Sequence, residues 1–230
     1  NTSWSCAHGV ERWRSNCGCS SGHHPEWQQE WRAPLRDAFD WLRDTLIPVY
    51  EEEMASFTDN PWQVRDQYID IILDRDADHV RRFLAEHTQR SLSPDEKIRI
   101  LHCLEMQRHA MLMYTSCGWF FDEISGIETT QVMQYAARAI QLARELGKET
   151  LEDAFLNRPA SAPSNLKSLG DGAETYRRYV LPSRLDLLRV GAHYAISSIF
   201  FEYAETADIY AYIVFREIEE TLHAGKITMS

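Results

Sequence analysis

The chain has 230 residues, 44% of them hydrophobic and 26% charged, with a formal net charge of -11. That balance suits a globular core, and the acid excess argues against binding to a nucleic-acid backbone, which needs a clustered basic face. The longest apolar run, around Ala195 to Phe201, is far short of the roughly 20 residues a membrane-spanning helix needs, and there is no basic amphipathic helix to suit a membrane surface.

The first two dozen residues are dense in reactive groups. Cys6, Cys17 and Cys19 are three of the five cysteines, and His8, His23 and His24 are three of the nine histidines. Trp4 and Trp13 lie among them. Gly9, Gly18, Gly22 and Pro25 interrupt any period, so residues 1–25 read as an irregular arm packed on the helical bundle. Cys6, His8, Cys17 and Cys19 offer thiolate and imidazole, the ligands of zinc, and four suffice for a closed tetrahedral site. The Cys17–Cys19 spacing departs from the usual knuckle, which separates its cysteines by two to four residues. Two other readings stand beside it: free cysteines packed as small hydrophobes, and side chains lining a substrate pocket. An odd number of cysteines does not suit a disulfide framework and points to a reducing, cytoplasmic setting.

A helix is predicted from Glu26 or Pro34 to Phe57. Leu35, Phe39, Leu42, Leu46 and Val49 form its apolar stripe, and Pro48 should kink it. Asn60-Pro61 opens a short helix to Leu73, and another covers Ala77–His87. Ser93-Pro94-Asp95-Glu96 is a strong start signal. The helix it opens meets no breaker before Gly118 and is predicted to reach Phe121, on the order of 40 Å. It is apolar nearly all round and so expected to be buried. His102, Glu105 and His109 share one of its faces, and an internal Glu105–Arg108 or Glu105–His109 pair is favoured over a catalytic role.

Helices follow at Thr129–Leu146, closed by Gly147, and at Leu151–Leu156. Residues 157–172 are predicted to be a mobile loop. Asp171 and Glu174 cap a helix to about Tyr179, and Pro182 restarts the chain into a helix ending near Ala204. Asp186, Arg189 and His193 share a face there, read as a solvated or paired stripe. Ile209–Phe215 is β-branched and aromatic and reads as a strand, with a second short strand at Ile227. The expected fold is mostly α: an irregular Cys/His-rich arm (1–25), a multi-helix bundle (26–206) and a short β-hairpin opening a β unit (207–230). The absence of an initiator Met and the stop within a strand suggest an excised fragment.

Tyr114 to Glu123 ends the long helix with aromatics beside two acids. Such a group can pack on a sugar ring and accept its hydroxyls, although aromatic stripes in helices are more often core. The chain carries no Gly-rich phosphate cradle, G-x-S-x-G elbow or C-x-x-C-H haem site.

Ser3-Trp4-Ser5-Cys6-Ala7-His8-Gly9-Val10-Glu11-Arg12-Trp13, Cys17-Gly18-Cys19 and the run from Met113 to Glu128 carry a resemblance. They are similar to the C-terminal region, of unknown function, of bacterial family 57 glycoside hydrolase-like (α-amylase/α-mannosidase-like) proteins. The resemblance implies an incomplete (β/α) barrel ahead of this region, holding a carboxylate nucleophile and a carboxylic acid/base that retain anomeric configuration. It places neither group on this chain, and Glu105, Asp122 and Glu123 are not assigned to that pair. It implies an accessory domain, not catalytic alone, that completes the cleft of an enzyme acting on α-glucans or related glycans. Trp4, His8, Trp13, Trp119, Asp122 and Glu123 would then face the barrel and the carbohydrate. The rival expectation is a metal-binding or redox-sensing helical module built on Cys6, His8, Cys17 and Cys19, with zinc as its ion.

Overall fold

The computed structural model describes residues 6–209, 212–216, 222–224 and 227–229. The chain divides into two units, Asn1–Ser183 and Arg184–Ser230. It is mostly α-helical, with an irregular Cys/His-rich arm at one end and antiparallel hairpins at the other.

In the first unit the described residues of the arm hold one 3-10 turn, Glu11–Trp13, and are otherwise irregular up to the first helix. Helix α1 (Arg32–Met54) carries Pro34 in its first turn, where a missing N–H costs nothing, and runs on through Pro48. Leu35, Ala38, Phe39, Leu42 and Leu46 are fully buried along one stripe. Three shorter helices follow: α2 (Pro61–Gln67), α3 (Ile69–Leu73) and α4 (Ala77–His87). Helix α5 (Pro94–Leu112) opens with a reciprocal capping box. Glu96 N–H donates to Ser93 Oγ at 3.3 Å, and Ser93 N–H donates to Glu96 Oε2 at 2.8 Å. Ile100, Cys103, Leu104, Gln107 and Ala110 form its buried stripe, spaced by three and four. Ile98 and Met111 are exposed, so α5 is buried on one face and not all round.

The predicted long helix ends early. α5 stops at Leu112 after 19 residues, about 28 Å. Thr115 N–H and Thr115 Oγ1 both donate to Leu112 O, and Thr115 then turns to an extended conformation. A 3-10 turn, Ser116–Trp119, follows. Its Gly118 lies so close to α6 (Ile127–Glu145) that a Cβ there would sit 2.5 Å from Val132 Cγ1. Trp119 enters the core, and this gain outweighs continuing the helix.

Helix α6 packs on α5 and on α1. Ala136, Ala139 and Ala143, all fully buried, keep its inner face flat for close approach. It closes as predicted on Gly147 (φ +91°), with Lys148 N–H to Ala143 O and Gly147 N–H to Arg144 O. Helix α7 (Leu151–Leu156) brings Phe155 against Phe39.

The segment expected to be a mobile loop is tied down. Pro163 and Asp171 form an antiparallel bridge, Gly172 N–H donates to Ala162 O, and Ala162 and Leu169 are buried. Helix α8 (Gly172–Thr175) follows, capped by Asp171, and leads into a single π turn, Tyr176–Val180.

The second unit begins with α9 (Leu187–Ser197), capped by Asp186, which accepts from Arg189 N–H at 2.8 Å. The helix is shorter than the run to Ala204 read from sequence. The single strand expected over Ile209–Phe215 is instead half of a hairpin. β1 (Thr206–Ile209) pairs with β2 (Tyr212–Phe215), from Thr206↔Phe215 to Ile209↔Tyr212. The two connecting residues lie outside the described residues. β3 (Leu222–Ala224) and β4 (Ile227–Met229) form a second antiparallel pair.

Candidate metal centre and adjoining pocket

The arm gathers Cys6, His8, Cys17 and Cys19 into one group whose donor atoms all lie within 4.8 Å of one another. Cys6 Sγ is 3.6 Å from Cys17 Sγ and 3.7 Å from Cys19 Sγ, and His8 Nδ1 is 3.5 Å from Cys19 Sγ and 3.7 Å from Cys6 Sγ. Tetrahedral zinc, with its usual bond lengths, sets sulfurs about 3.8 Å apart and sulfur and nitrogen about 3.6 Å apart. These four of the six donor pairs stand near that spacing. The sulfurs are too far apart for disulfides, which need about 2.05 Å. Two turns bring the donors together. Gly9 N–H closes on Cys6 O, and Gly18, at φ +77°, reverses the backbone between Cys17 and Cys19.

The thiols perturb one another strongly. Burial raises the Cys6 thiol, but the backbone N–H and ring of His8 and the two neighbouring thiols outweigh it and hold it at about 6. Cys19 is pushed up to about 11, first by its hydrogen bond with Cys17 and then by burial and Cys6. Thiolates this close repel unless a cation lies between them, and a divalent ion removes that penalty.

Behind the thiols the arm is fastened to the bundle around Asp122. Ser21 donates its N–H to both carboxylate oxygens (3.0 and 2.8 Å) and its hydroxyl to Oδ2. Gln29 Nε2 donates to Oδ1 at 3.4 Å, and the wholly buried Arg32 guanidinium lies 3.9 Å from it. Arg32 also donates to the carbonyls of Cys19, Phe120 and Phe121. Burial, then the neighbouring Arg12, lowers Arg32 to about 10. Arg12, itself buried, donates to Ser20 O and sits over the Phe120 ring. Glu123 accepts from Ser125 N–H and Oγ, Ser164 Oγ and Asn165 N–H. Asn165 Nδ2 donates to the carbonyls of Gln28 and Asp122, and its Oδ1 accepts from Gln28 N–H, all at 2.9 Å.

Against this buttress lies a cavity of about 380 Å³, lined among others by Ser21, His24, Trp27, Phe121 and Glu128. The His24 and Trp27 rings stack at 3.8 Å and 19°. Phe121 is 40% exposed, an apolar ring presented to solvent. A cavity of about 410 Å³ beside α4 holds Arg81, Arg90 and Lys97, but Arg81 is paired with Asp78 and Arg90 with Glu96.

A family described as a domain of unknown function (DUF3536) matches residues 27–230. The chain belongs to this family. No curated protein and no solved structure matches it. The DUF3536 match begins at Trp27, so the four Cys/His donors precede the matched span, while Trp27, Phe121, Asp122, Glu123 and Asn165 fall inside it.

The residues expected to contact a sugar are dispersed in this DUF3536 chain. Trp119 is fully buried, stacked on Trp31 and edge-on to Phe39, so its faces belong to the core. Asp122 and Glu123 are 2% and 6% exposed and accept several internal hydrogen bonds that hold the arm and the 163–171 segment, and both also line the cavity. Trp13 is half-buried against the core, and its carbonyl accepts from Arg36. His8 belongs to the metal group, and Trp4 lies outside the described residues. His23 and His24 line the cavity and stand apart from the four donors.

Sequence reasoning passed over Trp27, Ser21, Arg32 and Asn165. Trp27 and Trp31 stand four apart at the helix entry, which hinted at an ordered segment there. Nothing local marks Asn165, because its partners are distant in sequence.

On α5, Glu105 accepts from Tyr68 (2.7 Å), Arg75 (2.6 Å) and Arg108 (3.1 Å), with His109 Nε2 at 3.8 Å. Burial alone would raise the Glu105 carboxyl, but these donors outweigh it and hold it below its ordinary range. This is the structural ion pair expected there. Among the described residues no helix is long and apolar enough to cross a membrane.

Proposed function

We propose that this chain is an accessory helical domain that helps complete the substrate cleft of a family 57 glycoside hydrolase-like protein acting on α-glucans or related glycans. The nucleophile and acid/base lie in a catalytic barrel outside it. The observation that carries the reading is the cavity at the junction of arm and bundle, where Trp27, His24 and Phe121 present aromatic surface. Aromatic rings pack on the apolar face of a sugar, and neighbouring polar groups meet its hydroxyls. The barrel is the expected protein partner, and the free thiols fit a reducing, cytoplasmic compartment.

The Cys6, His8, Cys17 and Cys19 donors support a bound zinc ion. Four protein ligands leave no open position, so its role is structural. The rival module, a metal or redox sensor, draws on the same three thiols.

The deciding experiment titrates maltoheptaose into the purified chain while following tryptophan fluorescence. Saturable quenching that Trp27→Ala removes, with no hydrolysis of the glucan, is the expected result. No response, or turnover abolished by a single carboxylate substitution, overturns the reading. Zinc release by stoichiometric peroxide under conditions that leave glucan binding intact would favour the sensor.

A further inference from the structure

The Cys/His centre and the cavity share one stretch of backbone. Cys19 is a metal donor, Ser21, His23 and His24 line the cavity two to five positions later, and Trp27 closes it. This stretch holds no helix or strand. Its described attachments are few. Ser21 donates to Asp122, the Cys19 and Ser20 carbonyls accept from Arg32 and Arg12 at 3.4 Å each, and Trp27 N–H donates to His24 O at 3.1 Å. Segments with so little regular bonding open locally at low cost.

Metal changes that balance. Without a cation, the donors meet through weak sulfur contacts of 3.5–3.7 Å. With one, the same four side chains become a cross-link joining residues 6, 8, 17 and 19. The link ends two positions before Ser21, whose bonds to Asp122 carry the constraint to the cavity wall.

We infer that metal loading of Cys6, His8, Cys17 and Cys19 assembles the cavity wall over residues 19–27, so that the metal and a ligand of the cavity bind with positive coupling. The inference rests on the metal and saccharide readings above. Coupling between two binding equilibria is reciprocal, so a cavity ligand also tightens the hold on the ion.

Hydrogen exchange read by mass spectrometry tests this on the full chain, metal-free and with one equivalent of zinc. Zinc should slow the amides of residues 20–27 at least tenfold and leave the centres of α1 and α6 unchanged. Cys17→Ser should abolish the effect. Ser21→Ala, which removes the hydroxyl bond to Asp122 but keeps the N–H bonds, should keep one zinc per chain yet lose part of the protection at residues 21–27. Maltoheptaose should bind at least fivefold more tightly to the zinc form. One zinc bound with unchanged exchange at residues 20–27 overturns the inference and leaves the metal reading standing. A chain that binds no zinc overturns both. Zinc-dependent protection without any maltoheptaose binding supports metal-driven assembly of the wall and overturns the saccharide reading alone.

Discussion

Ser21 gives both its backbone N–H and its hydroxyl to the carboxylate of Asp122, 101 positions further along the chain. The pairing joins a mostly irregular arm to the turn after α5. It also places a buried anion beside the buried Arg32 guanidinium. Buried charges persist only when paired and hydrogen-bonded, so arm and bundle are held by a charge balance as well as by packing.

Removing one side of that balance should be costly. Asp122→Ala leaves Arg32 buried without its counter-charge, and a loss of about 3–5 kcal/mol is expected. Urea denaturation measures it. Replacing both partners, Asp122→Asn with Arg32→Met, should recover a large part of the loss. A single Asp122→Ala variant as stable as the parent chain would show that the pair contributes nothing.

The donor group predicts one zinc per chain by elemental analysis. Cys6→Ser, Cys17→Ser or Cys19→Ser should each weaken zinc binding at least tenfold in competition with a chromophoric chelator. His8→Ala should weaken it too, because the fourth vertex then opens to water. Chelator treatment should lower the stability of the arm and leave the far-UV circular dichroism of the bundle nearly unchanged. Unaltered zinc content in the cysteine variants would place the ion elsewhere.

Gly118→Ala probes the early end of α5. Its new methyl group would meet Val132 Cγ1 at 2.5 Å and Cγ2 at 2.7 Å, with Glu128 O at 3.2 Å. Overpacking of this kind costs about 1–3 kcal/mol. Pairing it with Val132→Ala should cost less than the two single changes summed, because the second change makes room for the first. Simple additivity in thermal melts would mean the two side chains do not meet.

His109 makes stability depend on pH. Burial first, then Arg108, Arg138 and Arg75, lower its pKa from 6.5 to about 4, against the opposing pull of Glu105. The folded state therefore holds it neutral, while the unfolded chain takes up a proton near pH 6.5. The stabilisation is complete above pH 6.5 and is lost as pH falls toward 4, on the order of 3 kcal/mol in all. Glu105, also held below its ordinary range, loses its own contribution at lower pH. His109→Gln isolates the histidine: its urea midpoint should vary less than the parent's between pH 6.5 and 4. Parallel pH profiles would rule the histidine out as the source.

Where the signal is local, sequence and structure agree. Ser93 and Glu96 cap α5, Asp171 caps α8 and Gly147 closes α6, each through groups within a few residues of one another. Leu35, Phe39, Leu42 and Leu46 report their buried face through spacing alone. The end of α5 was not legible, because what rewards the turn at Thr115 is the burial of Trp119 against Trp31, just ahead of α1, and Phe39 within it.

Composition and periodicity by themselves determined a helical protein with an irregular arm, capped helices and a set of thiols and imidazoles able to hold a metal. Only the tertiary structure decided which of those groups meet, that Asp122 and Glu123 serve the fold, and that Trp27 and Phe121 line a cavity. The reason is one of range. Caps and apolar stripes act between residues a few positions apart, whereas a buried charge pair or a cavity wall is made by side chains about a hundred positions apart, and no local pattern encodes their meeting.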